Sequence, residues 1–262
     1  MKQLIVTADD FGLCHEVNEA VIQAHTQGIL TCASLMVGAK GTDEAIQLAK
    51  NHPTLKVGLH LVLVEGYSVL PKREIPDLVD ENKRFSNHIV WSGIRYFFSP
   101  KLKKQIAKEC EAQIQKFLEA GLKIDHLNSH NHLHIHPTIS KIVLKLAKKY
   151  SIPAIRIPYG LFPFSFFLKR RLKQASILHN DHLLGLSETG RMGEETWLKL
   201  IPHIKEGVTE AYCHPATETT GVLKETMPRY CHREELEALL SPRVKESLDH
   251  HNIQRISFGD LS

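Results

Sequence analysis

Residues 3–27 read QLIVTADDFGLCHEVNEAVIQAHTQ. An apolar run, Leu4-Ile5-Val6-Thr7-Ala8, enters two adjacent acids, Asp9 and Asp10. A Phe11-Gly12 break follows, and then a helical pattern over 15–27. Strand, turn and helix in that order make one β–α unit, and the succession recurs along the chain. Further strand-like runs lie at 32–37, 56–63, 123–128, 154–157, 182–187, 208–213 and 253–258. Amphipathic helices are expected at 42–50, 101–119, 138–149 and 194–204, with a pair around 232–250. In the second of these the apolar residues return every three or four positions, as at Ile106, Cys110, Ile114, Phe117 and Leu118. Alternation of this kind predicts parallel strands covered by helices. Eight strand candidates predict a TIM-like (β/α) barrel, irregular or reduced to seven strands. The alternative, an open doubly wound sheet, would favour a G-x-G-x-x-G turn after the first strand, and none is there. One domain is expected over 1–262, with 64–100 and 158–173 as loop excursions.

Composition narrows the class. The chain is 42% hydrophobic and 24% charged, which allows a core of ordinary size. A net charge of +4 is too mild to argue for nucleic acid, and no recognised motif accompanies the basic stretches. Five scattered cysteines form no C-x-x-C pair and no disulfide framework, so a reducing compartment is expected. With no signal-peptide pattern and no bilayer-length apolar run, the expected location is cytoplasmic. Histidine is the outlier, at 17 residues.

In a parallel barrel the reactive groups sit at the C-terminal ends of strands. The first strand delivers Asp9-Asp10, the third carries His60, the fourth runs into HLNSHNHLHIHP (126–137), the fifth carries Arg156, and the seventh ends at His214. Each has a plain structural alternative: a helix N-cap for the acids, a packed core histidine at 60, a solvated histidine-rich loop, a buried ion pair for Arg156. Their convergence on one rim points instead to a metal. A mixed Asp/His set suits Zn²⁺ or a similar divalent ion and leaves positions open for water and substrate. Adjacent acids then divide the work, one as ligand and one as general base. Successive strand residues face opposite ways, so both acids reach one site only where the strand gives way, for which Phe11-Gly12 is the expected break.

TADDFG, GLHLVL, a Ser-His-x-His-x-His stretch and CHPA, in that order across nearly the whole chain, resemble the YdjC-like carbohydrate deacetylase family. TADDFGLCHEVNEAV, SLMVG, VGLHLVLVEG, IPDLVD, Asn128 and GVTEAYCHPA are most similar to its hopanoid-biosynthesis-associated branch. The resemblance implies a divalent-metal hydrolase on a TIM-like barrel that removes acetyl from an N-acetylated sugar. Carried over by motif, Asp10, His60 and His130 would hold one Zn or Mg ion, with Zn favoured by the two imidazoles. Asp9 would be the base and His214 the acid or orienting group, with Arg156, His132 and His134 placed toward substrate. Where the chitooligosaccharide branch has Asp-Ser-His, this chain has Asn128-Ser129-His130. The expected partner is an N-acetylated sugar or glycolipid. Phe162, Phe164, Phe166, Phe167 and Leu168 beside Lys169, Arg170 and Arg171 suggest peripheral membrane contact, with internal packing as the simpler alternative. IRYFFSPKLKK (94–104) has the same character, and 101–119 offers an apolar face for a homodimer. Rival readings are another metal hydrolase, such as a phosphoesterase, and a sugar- or metal-binding relative without catalysis.

Overall fold

A computed structural model describes residues 1–261. The first strand, β1 (Lys2–Phe11), is followed by α1 (His15–Gln27), β2 (Cys32–Leu35), α2 (Thr42–Asn51) and β3 (Lys56–Leu61). Next come α3 (Ile89–Phe98), α4 (Pro100–Glu119), β4 (Leu127–Ser129), α5 (Pro137–Lys149), α6 (Phe164–Ala175), β5 (His182–Leu184) and α7 (Glu194–Leu200). The chain continues through β6 (Gly207–Cys213), α8 (Gly221–Thr226), α9 (His232–Leu240), α10 (Pro242–His250) and β7 (Gln254–Ile256).

All pairings between these strands are parallel, in the order β4-β3-β2-β1-β6-β5. β6 lies along β1 from Lys2 to Ala8, so the other edge of β1 is shared: β7 takes its first half, at Gln3–Ile5, and β2 its second. The sheet is curled, and the space between its ends is spanned by the expected fifth strand. Residues 154–157 form only isolated bridges: Arg156 N–H donates to Leu127 at 3.1 Å on one side, and Ile155 N–H to Leu178 at 2.9 Å on the other. The result is the irregular, seven-stranded form of a β/α barrel. Leu4, Val6, Leu59, Leu61 and Leu127 are fully buried in its main apolar cluster.

Both expected loop excursions contain a helix. The one before α3 is fastened by α4: Gln105, Glu109 and Gln113, spaced four apart on one buried stripe, accept from the backbone of Asp77, of Val69 and Leu70, and of Val62. These polar groups on a buried face replace the hydrogen bonds that irregular backbone would otherwise lack. The apolar residues of α4 that suggested a dimer face, Ile106, Cys110, Ile114 and Phe117, are all fully buried within this chain, while Leu118 is exposed. Among the described residues all five cysteines are free, and no helix is long and apolar enough to cross a membrane.

Candidate active site

The strand break comes earlier than Phe11-Gly12. Between Ala8 and Phe11 the register on β2 slips, because three steps along β1 match two along β2, from Ala33 to Leu35. Asp10 sits in this bulge with φ at +64°, a left-handed conformation that aspartate tolerates better than most residues. A bulge re-aims one side chain relative to its neighbour, and so both acids enter the same site. Gly12 then completes the turn at φ +91°, where a Cβ would lie 2.9 Å from the Met36 carbonyl.

Asp10, His60 and His130 meet, with one potential ligand atom from each lying within 4.8 Å of the others. The Asp10 Oδ1 atom is 3.2 Å from His60 Nε2 and 3.1 Å from His130 Nδ1, and its Oδ2 is buried without a partner. His60 Nδ1 donates to Asn128 Oδ1 at 2.7 Å, which fixes the tautomer and leaves the Nε2 lone pair facing Asp10. A lone pair and a carboxylate oxygen, both acceptors, therefore converge with an imidazole on one point. The orphaned Oδ2 and this donor set fit a divalent cation. Burial disfavours charge on His130, but Asp10 outweighs it and raises the pKa of the ring.

Asp9 stands beside this cluster, its Oδ1 3.8 Å from His60 Nδ1. It is 2% exposed and its carboxylate is gripped by a fork: Arg156 Nη1 donates to Oδ2 at 2.5 Å and Nη2 to Oδ1 at 3.0 Å. Asn128 Nδ2 adds a third donor to Oδ1 at 3.0 Å. Burial alone would push the Asp9 pKa up, but Arg156 and the neighbouring imidazoles hold it well below the usual carboxylate range. The amide at 128 thus serves both neighbours, accepting from His60 and donating to Asp9. A carboxylate there could accept from His60 but would repel Asp9.

The residues assigned to substrate divide. His132 lines the cavity, its Nε2 3.2 Å from the Tyr212 hydroxyl. Arg156 and His134 do not line it; both are fully buried. Arg156 gives two more of its donors to Glu210 Oε1, at 2.9 and 2.7 Å, and its guanidinium lies 4.9 Å from the centre of the Tyr212 ring, so it meets the cavity through Asp9 and Tyr212. The His134 ring accepts from the Ser129 hydroxyl at 2.7 Å and donates to the Arg156 carbonyl at 3.0 Å, tying the turn down. Asn131 and His132 adopt left-handed backbone, φ +53° and +54°, and this reversal separates the five histidines of the stretch. His130 goes to the cluster and His132 to the wall. His136 caps α5, and His126 lies in the core between Asp125 and Ser34, stacked on Phe258 at 4.5 Å.

His214 closes the far side. Burial drives its pKa down to about 4, so the ring is neutral at pH 7. Its Nδ1 is buried with no partner, and Tyr212 and Tyr230 flank it with ring centres at 5.7 and 5.1 Å. Its backbone is held from α9: the N–H donates to Glu235, and the carbonyl accepts from His232 Nδ1 at 2.6 Å. Glu235 also accepts from Met192 N–H at 2.9 Å, and burial raises its pKa from 4.5 to about 7. A carboxyl raised in this way stabilises the fold fully below about pH 4.5 and loses that contribution as pH rises through 7. Glu235→Gln is therefore expected to flatten the fall in melting temperature between those pH values, a fall corresponding to on the order of 3 kcal/mol in the parent protein. Thermal melts at closely spaced pH values measure it.

The cavity holds about 340 Å³; its lining includes Asp9, His60, His130, His132 and His214 and the apolar Leu161, Leu186 and Met227. Glu65, Tyr212 and Tyr230 also line it and were not expected from the sequence. Glu65 arrives on the fastened excursion and accepts from Asn131 at 2.7 Å.

Carboxylate and imidazole groups are thus gathered at the strand ends of a parallel β/α barrel, where such folds carry their reactive groups. The chain belongs to the family of YdjC-like proteins, whose model matches residues 3–250. It is 34% identical over 260 residues to a carbohydrate deacetylase of Brevibacillus brevis, covering 99% of both chains. It is 32% identical over 265 residues to a carbohydrate deacetylase of Vibrio cholerae, covering 99% of this chain and 96% of the relative. Among solved structures, a candidate cellobiose-phosphate cleavage protein of Enterococcus faecalis V583 superposes with a TM-score of 0.85 at 29% identity, covering 100% of this chain and 99% of that one.

Proposed function

We propose that this chain, acting as one domain, is a metal-dependent deacetylase that hydrolyses the N-acetyl group of an amino sugar, here the N-acetylglucosaminyl head of a hopanoid glycolipid. The carrying observation is the placement of Asp9, ionised and gripped, at the shoulder of the Asp10–His60–His130 cluster on the wall of the cavity. Deacetylation of a carbohydrate is supported by the family and by its relatives. The hopanoid substrate is supported by the motif likeness.

Asp10, His60 and His130 would hold the ion, and zinc is the metal that two imidazoles and one carboxylate suit best. When bound, it supplies a Lewis acid for the acetyl carbonyl and acidifies water. Asp9 takes the proton of the attacking water, with Arg156 and Asn128 fixing both of its oxygens. His214 enters neutral, receives the proton that Asp9 took from water and passes it to the leaving nitrogen, which frees both groups for the next turnover. Acetate and a free amine result.

Acetate release and product mass from N-acetylated glycolipids and chitooligosaccharides, measured with zinc-loaded protein, test the reaction. Phosphate release without acetate would overturn it. Metal binding has its own readout. Zinc at about a hundred times its Kd should raise the melting temperature by roughly 5–10 °C. His60→Ala and His130→Ala should each remove that shift.

A further inference from the structure

Eleven large apolar side chains are exposed among the described residues, and nine of them lie on two short stretches. Val90, Trp91, Ile94, Phe97 and Phe98 belong to α3; Phe162, Phe164, Phe166 and Phe167 lie on α6 and the turn before it. α3 is inverted. Its buried positions are Ser92 and Tyr96, the latter donating to the Leu63 carbonyl at 2.8 Å, while Trp91 is 59% and Phe98 73% exposed. The helix is anchored to its own domain through Tyr96, while its tryptophan and most of its other apolar side chains are left to solvent.

Both patches border α5. Phe97 stacks edge-on against His136, the residue capping α5, and Arg171 donates to Ser140 one turn later. Both therefore touch the first turn of α5, which begins where the histidine turn of the cavity ends. Leu161 lines that cavity, and the next residue, Phe162, is 80% exposed. The α6 patch thus begins beside the cavity wall.

Its charge is one-sided. Residues 89–104 and 158–175 contain Arg95, Lys101, Lys103, Lys104, Lys169, Arg170, Arg171 and Lys173 and not one aspartate or glutamate. The nearby carboxylate of Asp77 is paired with Lys101 at 2.9 Å. Two copies meeting by a twofold axis would place this cationic surface against itself. An anionic bilayer offers what both halves of the patch want: a place for aromatic rings at the interface and negative headgroups for the lysines and arginines.

We infer that the α3–α6 surface is a membrane-docking face that seats the cavity mouth on anionic lipid. That docking delivers substrate rests on the deacetylase reading; that the face binds lipid does not. The test is flotation of the full chain with vesicles of phosphatidylcholine alone or containing about one third phosphatidylglycerol. Binding should be at least about tenfold stronger to the anionic vesicles and should weaken with salt. Trp91→Ser with Phe98→Ser, and separately Phe166→Ser with Phe167→Ser, should each reduce it about tenfold or more. Both pairs should retain the parent activity on a soluble chitooligosaccharide. Arg170→Glu with Lys173→Glu alters only exposed charges and should do the same, which covers a serine pair that fails to fold. A parent chain that stays off anionic vesicles overturns the inference. So does self-association, seen by sedimentation, that the same substitutions disperse, because a second copy is then the occupant. Failure to float alongside intact acetate release would sink the docking face and leave the enzyme standing.

Discussion

Asp9→Asn is expected to lower deacetylation by about 10²–10⁴-fold while zinc still binds. Asparagine keeps the shape and can still accept from Arg156, but it cannot take a proton from water. The ligand atoms belong to Asp10, His60 and His130, and the change leaves all three in place. Two measurements separate the roles: acetate release for turnover and the zinc-induced thermal shift for the site. Loss of both would make Asp9 a ligand rather than a base. Near-parent turnover would remove it from the chemistry altogether.

Arg156→Met should do more harm to stability than any other single change at this site. Arg156 is fully buried between Asp9 and Glu210, and its guanidinium makes four hydrogen bonds to those two carboxylates. Without it two buried anions lose their cation, and removal of one partner from such a group costs about 3–5 kcal/mol. For a chain of this length that corresponds to a fall in melting temperature of roughly 6–20 °C. Adding Glu210→Gln to the same chain should recover part of the loss by removing one uncompensated charge. Arg156→Lys should fall between, since an ammonium keeps the charge but cannot fork across both acids. Calorimetry of the three variants decides whether the group is held together as described; equal melting temperatures for Arg156→Met and the parent would refute it.

The elements that carry the barrel could be read because their apolar residues face inward. α1 spans His15–Gln27, as the pattern over 15–27 predicts, and α4 begins one residue before the expected 101. α3 could not, for the converse reason: its apolar residues face out and its serine faces in, so periodicity carries no inward stripe to find. Residues 154–157 look like a strand and are fully buried like one, yet they span the curled sheet through single bridges. The cluster ligands stood out as acids and imidazoles at strand ends. The task of Arg156 did not, since its second partner, Glu210, lies 54 residues away and nothing local to either residue connects them. The histidines of 126–136 could be counted but not sorted, because the sorting depends on the left-handed backbone at Asn131 and His132. Tyr230 offers no motif at all. It reaches the site from the segment before α9.

The shared edge of β1 has a bearing on the order in which the protein assembles. The strand that carries both acids is made before the other six described strands, yet its longest pairing is with β6, and Thr7 bonds Glu210 across 203 residues of chain. Its remaining edge is completed only by β7. Contacts so distant are slow to form, because a long loop must close before they contribute. On the ribosome Asp9 and Asp10 therefore emerge well ahead of Arg156, Glu210 and His214, and the centre cannot close until those later segments have been made.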